Sequence, residues 1–119
     1  LHYQSNILEN RRNLIRSTQQ IEAASKEYKV VIWGAGRILD ALVEFGKLDL
    51  DCIHTVVDKH LSAYVSEIYN RPLAHPDKLI EASTENTLVY IASRNYASEI
   101  QEQAEQLGIK HFMHFSPPK

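Results

Sequence analysis

The chain has 119 residues, 44% of them hydrophobic and 24% charged, and a formal net charge of −2. That length fits one domain with a core that is stable without staples, and the near-neutral charge argues against a nucleic-acid partner. A single cysteine, Cys52, excludes an internal disulfide framework and fits a reducing, cytoplasmic setting. No stretch approaches the roughly 20 apolar residues of a membrane span, so no membrane partner is expected. Residues 1–28 are polar and charged, unlike a signal peptide. Because the first residue is Leu1 rather than Met, we expect a domain cut from a longer protein.

Residues 6–27 read as a helix, with Asn6 and Glu9 spaced as a capping box. Ile7, Leu8, Leu14, Ile15 and Ile21 form a narrow apolar stripe, and Arg11, Arg12, Arg16, Gln19 and Gln20 keep the other face polar. Such a stripe packs on its own domain or continues from an upstream one. The alternative is a self-associating helix pair that makes a homo-oligomer, although three short repeats are few for a coiled coil.

From Lys29 the pattern changes to strands alternating with helices. Val30 to Trp33 is a fully buried strand, and Gly36 to Phe45 is a helix. Its inward residues are Ile38, Leu39, Leu42, Val43 and Phe45, with Gly46 closing it as the left-handed C′ residue. Ile53 to Val57 is the second strand. Ile68-Tyr69, a turn at Asn70-Arg71 and Pro72-Leu73-Ala74 predict a short third strand with a proline tolerated at a sheet edge. Pro76 opens a brief helix to about Glu81, and Thr87 to Ala92 is a strand. Residues 96–107 form a helix that buries Ala97, Ile100, Ala104 and Leu107 and is stopped by Gly108. Lys110 to Phe115 is the last strand. Strands separated by helices predict an α/β fold, a doubly wound parallel sheet of about five strands in the order 3-2-1-4-5, with an extra N-terminal helix. The domain division is then a helix over 1–28 and a nucleotide-binding domain over 29–119.

The strand ending at Trp33 empties into Gly34-Ala35-Gly36 and then a helix beginning at Arg37. Such a turn offers backbone N–H groups and the positive end of a helix dipole to a phosphate. Gly34 permits the tight turn, and Gly36 leaves room for a pyrophosphate against bare backbone. Leu39 stands where a third glycine would complete the dinucleotide fingerprint. Arg37 can pair with a phosphate or remain solvated. Asp58, at the end of the second strand, is placed either to accept from a ribose or simply to initiate a turn. Ser93 and Arg94 follow the fourth strand and border the same crevice at the switch point, with Asn95 and Tyr96 beside them. These cofactor-binding candidates are Gly34, Ala35, Gly36, Arg37, Asp58, Ser93 and Arg94; no catalytic residue is assigned.

Six histidines do not make a metal centre in this reading. His111 and His114 point to opposite faces of one strand, His54 lies in another strand, and His75 lies in a turn. There is no Tyr-x-x-x-Lys pair, no Gly-x-Ser-x-Gly elbow and no Walker motif.

Val-Val-Ile-Trp-Gly-Ala-Gly-Arg (30–37), Val-Val-Asp (56–58), Asn-Arg-Pro-Leu-Ala-His-Pro-Asp-Lys-Leu (70–79) and Leu-Val-Tyr-Ile-Ala-Ser (88–93) together resemble a group of small Rossmann domains found beside sugar-modifying enzymes. The group includes the nucleotide-sugar-binding N-terminal domains of bacterial sugar acyltransferases and the domains appended to sugar C-methyltransferases. The resemblance covers about residues 29–115 and leaves the first helix outside. It implies that Gly34, Gly36 and Asp58 occupy positions that contact a nucleotide or nucleotide-sugar. Arg37 and Ile38 stand where the acyltransferase domains carry a further glycine and a histidine, which argues against acetyl transfer. The expected function is an accessory Rossmann module that binds NAD(P) or a nucleotide-sugar within a larger sugar-modifying or methyltransferase-like protein. The alternatives are a ligand-free interaction module and a small NAD(P)-dependent oxidoreductase. The last lacks an evident acid or base.

Overall fold

In the computed structural model, which describes residues 2–81, 85–93 and 96–115, one sheet carries helices on both faces. Its strands are β1 (Lys29–Trp33), β2 (Ile53–Val57), β3 (Glu67–Ile68), β4 (Arg71–Ala74), β5 (Thr87–Ile91) and β6 (His111–His114). The helices are α1 (His2–Ala24), α2 (Arg37–Glu44) and α3 (Ala97–Gln106), with short 3-10 helices at Leu50–Cys52, Leu61–Ala63 and Pro76–Glu81. The sheet order is β3-β4-β2-β1-β5-β6, and among the described residues only the β3–β4 pair is antiparallel. This is an α/β fold with a six-stranded, mostly parallel sheet, compatible with a Rossmann-like architecture.

Alternation along each central strand supplies both faces. Val30 and Ile32 of β1, with Leu88 and Tyr90 of β5, share a core with Leu14 and Ile21 of α1 and Leu39 and Leu42 of α2. Val31 and Trp33, with Val89 and Ile91, pack instead with Leu79 of the 76–81 helix, Ala104 of α3 and Ile109. Parallel strands buried on two sides read as continuous apolar runs for this reason.

The expected five strands in the order 3-2-1-4-5 are corrected at one edge. The predicted third strand is a two-stranded hairpin, β3–β4, and its turn is one residue earlier than Asn70-Arg71. Tyr69 (φ 50°) and Asn70 (φ 61°) both sit in the left-handed region, which is the geometry of a two-residue type I′ turn. Pro72 therefore lies on a strand with neighbours on both sides. Pairing with β2 begins only at Leu73, opposite Val56, so the missing proline N–H falls outside that ladder.

Three local expectations also change. Residue 6 is not a helix start, because α1 already runs from His2, and it ends at Ala24 rather than at 27. Phe45 is not inward; it is 49% exposed, with the Arg11 guanidinium 5.7 Å from its ring centroid. Gly46 is not left-handed; Lys47, at φ 57°, takes that role. What demands glycine at 46 is close packing. A Cβ there would lie 2.6 Å from the Thr18 Cγ2 and 2.8 Å from the Leu42 carbonyl oxygen, while the Thr18 hydroxyl reaches the Gly46 carbonyl at 2.9 Å. By contrast, Gly108 does stop α3 in the left-handed region, at φ 94°.

Candidate functional site

The switch point lies between β1 and β5, because the chain leaves β1 toward β2 on one side and reaches β5 by crossing back under the sheet. There the β1–α2 turn is tied to both neighbouring strands. The Gly34 N–H donates to the Val57 carbonyl at 2.9 Å, and the Ala92 N–H donates to the Trp33 carbonyl at 3.0 Å. Gly34 has φ +119°, and a Cβ on it would meet the Ala92 carbonyl oxygen at 2.9 Å. Only glycine fits both the dihedral and the approach.

Gly36 is different. It is exposed, its φ is negative at −112°, and a Cβ on it would have no described atom within 4 Å. Packing does not exclude a side chain at that position. Gly36 caps α2 without a side-chain bond, and its carbonyl accepts the first intrahelical N–H, from Asp40, at 3.1 Å. The amides of Arg37, Ile38 and Leu39 come before that bond, so α2 itself supplies them no carbonyl. The Arg37 side chain is exposed at the same end.

Asp58 is half-buried and its carboxylate is already engaged. Oδ2 accepts the Ala35 N–H at 2.9 Å, and Oδ1 accepts the N–H groups of His60 and Leu61 at 3.0 and 2.8 Å. The Asp58 N–H continues the β2–β4 ladder by donating to Ala74 at 3.1 Å. Asp58 thus starts the turn that leads into the 61–63 helix and also holds the glycine turn. Its favoured place after a strand was visible in the sequence, but the bond to Ala35 was not.

Ser93 is half-buried one residue past Ala92, and its hydroxyl accepts the Tyr96 N–H at 3.2 Å at the start of α3. Tyr96 is exposed. Arg94 and Asn95 lie outside the described residues. The structure therefore gathers Gly34, Ala35, Gly36, Arg37, Asp58 and Ser93 at the C-terminal rim of the sheet. A further contact was not foreseen. The Tyr69 hydroxyl, at the hairpin turn, donates to the Asp40 carboxylate on α2, and this bond pushes the phenol up to about 12.

Several other titratable groups among the described residues lie apart from the glycine turn. Cys52 is half-buried, and burial raises its thiol pKa, with a Ser25 hydrogen bond offsetting part of the rise. Burial, with Lys29 and Arg71 nearby, lowers the His54 pKa. His111 packs against Tyr28 with the rings tilted by 42°, and His114 bonds Gln101, on opposite faces of β6. Among the described residues no three His, Cys, Asp or Glu side chains gather as a metal site, and no helix is long and apolar enough to cross a membrane.

These features define an α/β protein with a glycine turn at the switch point of a mostly parallel sheet. No protein-family model matches the chain, and no curated protein matches it.

Proposed function

We propose that the chain is a nucleotide-binding module, with a phosphate of the ligand seated on the amides at the start of α2 and beside Arg37. The observation that carries this reading is the contrast between the two glycines. Packing against Ala92 accounts for Gly34, whereas no described atom stands where a side chain on Gly36 would go. Bare backbone facing open space at a helix N-terminus is the form a phosphate needs. The ligand is NAD-like or a nucleotide-sugar, and the setting is a larger cytoplasmic sugar-modifying or methyltransferase-like protein, in which this module binds rather than catalyses.

Thermal shift with NAD(H), NADP(H), UDP-sugars and TDP-sugars tests the proposal. Ligand at ten times its Kd adds about 1.4 kcal/mol, a rise of several degrees in Tm for a domain of this size. Gly36→Val should abolish the shift while keeping the unliganded Tm close to that of the parent. Flat melting curves with every nucleotide at millimolar concentration would defeat the reading.

A further inference from the structure

Resting on that proposed site, we infer that Asp58 is a positioning residue for the glycine turn, and that the ligand is read through its phosphate without a clamp on a ribose diol. A carboxylate offers about four lone-pair sites. The N–H groups of His60 and Leu61 fill the two on Oδ1, and Ala35 fills one on Oδ2. One site remains. Gripping both hydroxyls of a ribose takes two acceptor positions, so Asp58 would first have to release a backbone amide.

The three bonds have a second consequence. The Gly34 N–H is held by Val57 and the Ala35 N–H by Asp58, so neither is offered to a ligand. The turn is fixed on the β2 side by these two bonds. The amides that follow, from Gly36 onward, are thereby held in one orientation, and an anion meets them preorganised. Asp58 acts on the ligand through the backbone, at Ala35, and its negative charge is spent on N–H groups rather than directed at the phosphate.

Asparagine cannot replace it. Its single carbonyl oxygen can keep the His60 and Leu61 bonds, but its NH2 group then faces the Ala35 N–H, donor against donor. Two measurements test the inference on the full chain. In the first, amide hydrogen exchange is compared between the parent and Asp58→Asn. The Ala35 amide should exchange about tenfold faster or more in the variant, with the β5 amides unchanged. Unaltered protection at Ala35 would overturn the positioning role.

In the second, binding of ADP is compared with that of 2′,3′-dideoxy-ADP. The two should agree within about twofold, and Asp58→Asn should weaken both equally. A merely structural aspartate would show no such common loss once the fold is shown intact. A loss of about tenfold or more on removing the hydroxyls would show that Asp58 does take the ribose. If neither ADP nor any nucleotide of the thermal-shift series binds at millimolar concentration, the proposed site fails and the ligand half of this inference fails with it. Ala35 exchange still decides the positioning half.

Discussion

At the scale of single residues, Gly34 and Gly36 have the same side chain for different reasons. Gly34→Ala places a Cβ 2.9 Å from the Ala92 carbonyl oxygen and forces a non-glycine residue to φ +119°. Strain of that kind costs about 1–3 kcal/mol, and the overlap adds to it. Gly36→Ala meets open space and should cost no more than about 1 kcal/mol, through a poorer N-cap. Urea unfolding of the two variants measures the difference directly, and equal midpoints would remove the distinction. Tyr90 makes a second residue-scale case. Its hydroxyl is fully shielded and has no partner in hydrogen-bond geometry, and burial pushes the phenol up to about 12, with Ser17 offsetting part of the rise. The ordinary value is about 10, so the folded state favours the neutral phenol. The resulting stability is complete below pH 10 and is lost as pH rises toward 12, on the order of 2–3 kcal/mol in all. Tyr90→Phe should be neutral or slightly stabilising at pH 7 and should lack that alkaline loss. Tyr69, also raised to about 12, titrates in both proteins and leaves the comparison intact. Chemical denaturation at pH 8 and pH 11 checks the slope.

At the scale of elements, what the sequence made legible depended on whether the local signal and the tertiary contact agreed. β1, β5 and α3 were readable because a buried run, or a stripe ended by Gly108, reports the packing itself. The β3–β4 hairpin was not. Its type I′ turn carries Tyr69 and Asn70 instead of a glycine, and the Tyr69 bond to Asp40 that anchors the turn joins residues far apart in the chain. Within the candidate site, the glycine turn was equally plain in sequence. The Ala35–Asp58 bond was hidden, because a backbone donor has no residue-type signature. Gly46 misled for a related reason: glycine serves left-handed caps and close approaches alike, and only the position of α1 tells them apart. That position makes a prediction. Gly46→Ala should destabilise by about 1–3 kcal/mol, since its Cβ would lie 2.6 Å from the Thr18 Cγ2, 2.8 Å from the Leu42 carbonyl oxygen and 3.0 Å from the Leu14 carbonyl oxygen. Adding Thr18→Ser removes the methyl and should recover only part of the loss, because two of the three obstacles are backbone. Full recovery, read from thermal midpoints of the single and double variants, would show that the carbonyls can shift.

At the scale of the molecule, the decisive relation is between α1 and the sheet. A helix that precedes the alternating strands and helices invites treatment as a detachable arm, with 29–119 as the working domain. Its C-terminal half is not detachable in energetic terms. Ile21 is fully buried and Leu14 nearly so, in the core that contains Val30, Ile32 and Tyr90, while Ser17 and Thr18 are buried between them. Burying an aliphatic side chain of that size contributes about 1.5–3 kcal/mol, so Leu14 and Ile21 alone supply about 3–6 kcal/mol. Removing α1 also bares the sheet residues beneath it, which adds to the loss. Domains of this size have about 5–15 kcal/mol in total, so the deletion should consume most or all of it. A chain starting at Tyr28 should therefore show no cooperative thermal transition, whether or not α1 also joins two copies. Ile15→Glu, at a position 44% exposed on the same helix, should leave the melting temperature of the full chain nearly unchanged. A sharp transition in the shortened chain would show that the sheet with α2 and α3 closes its own core, and α1 would then be an appendage despite its buried face.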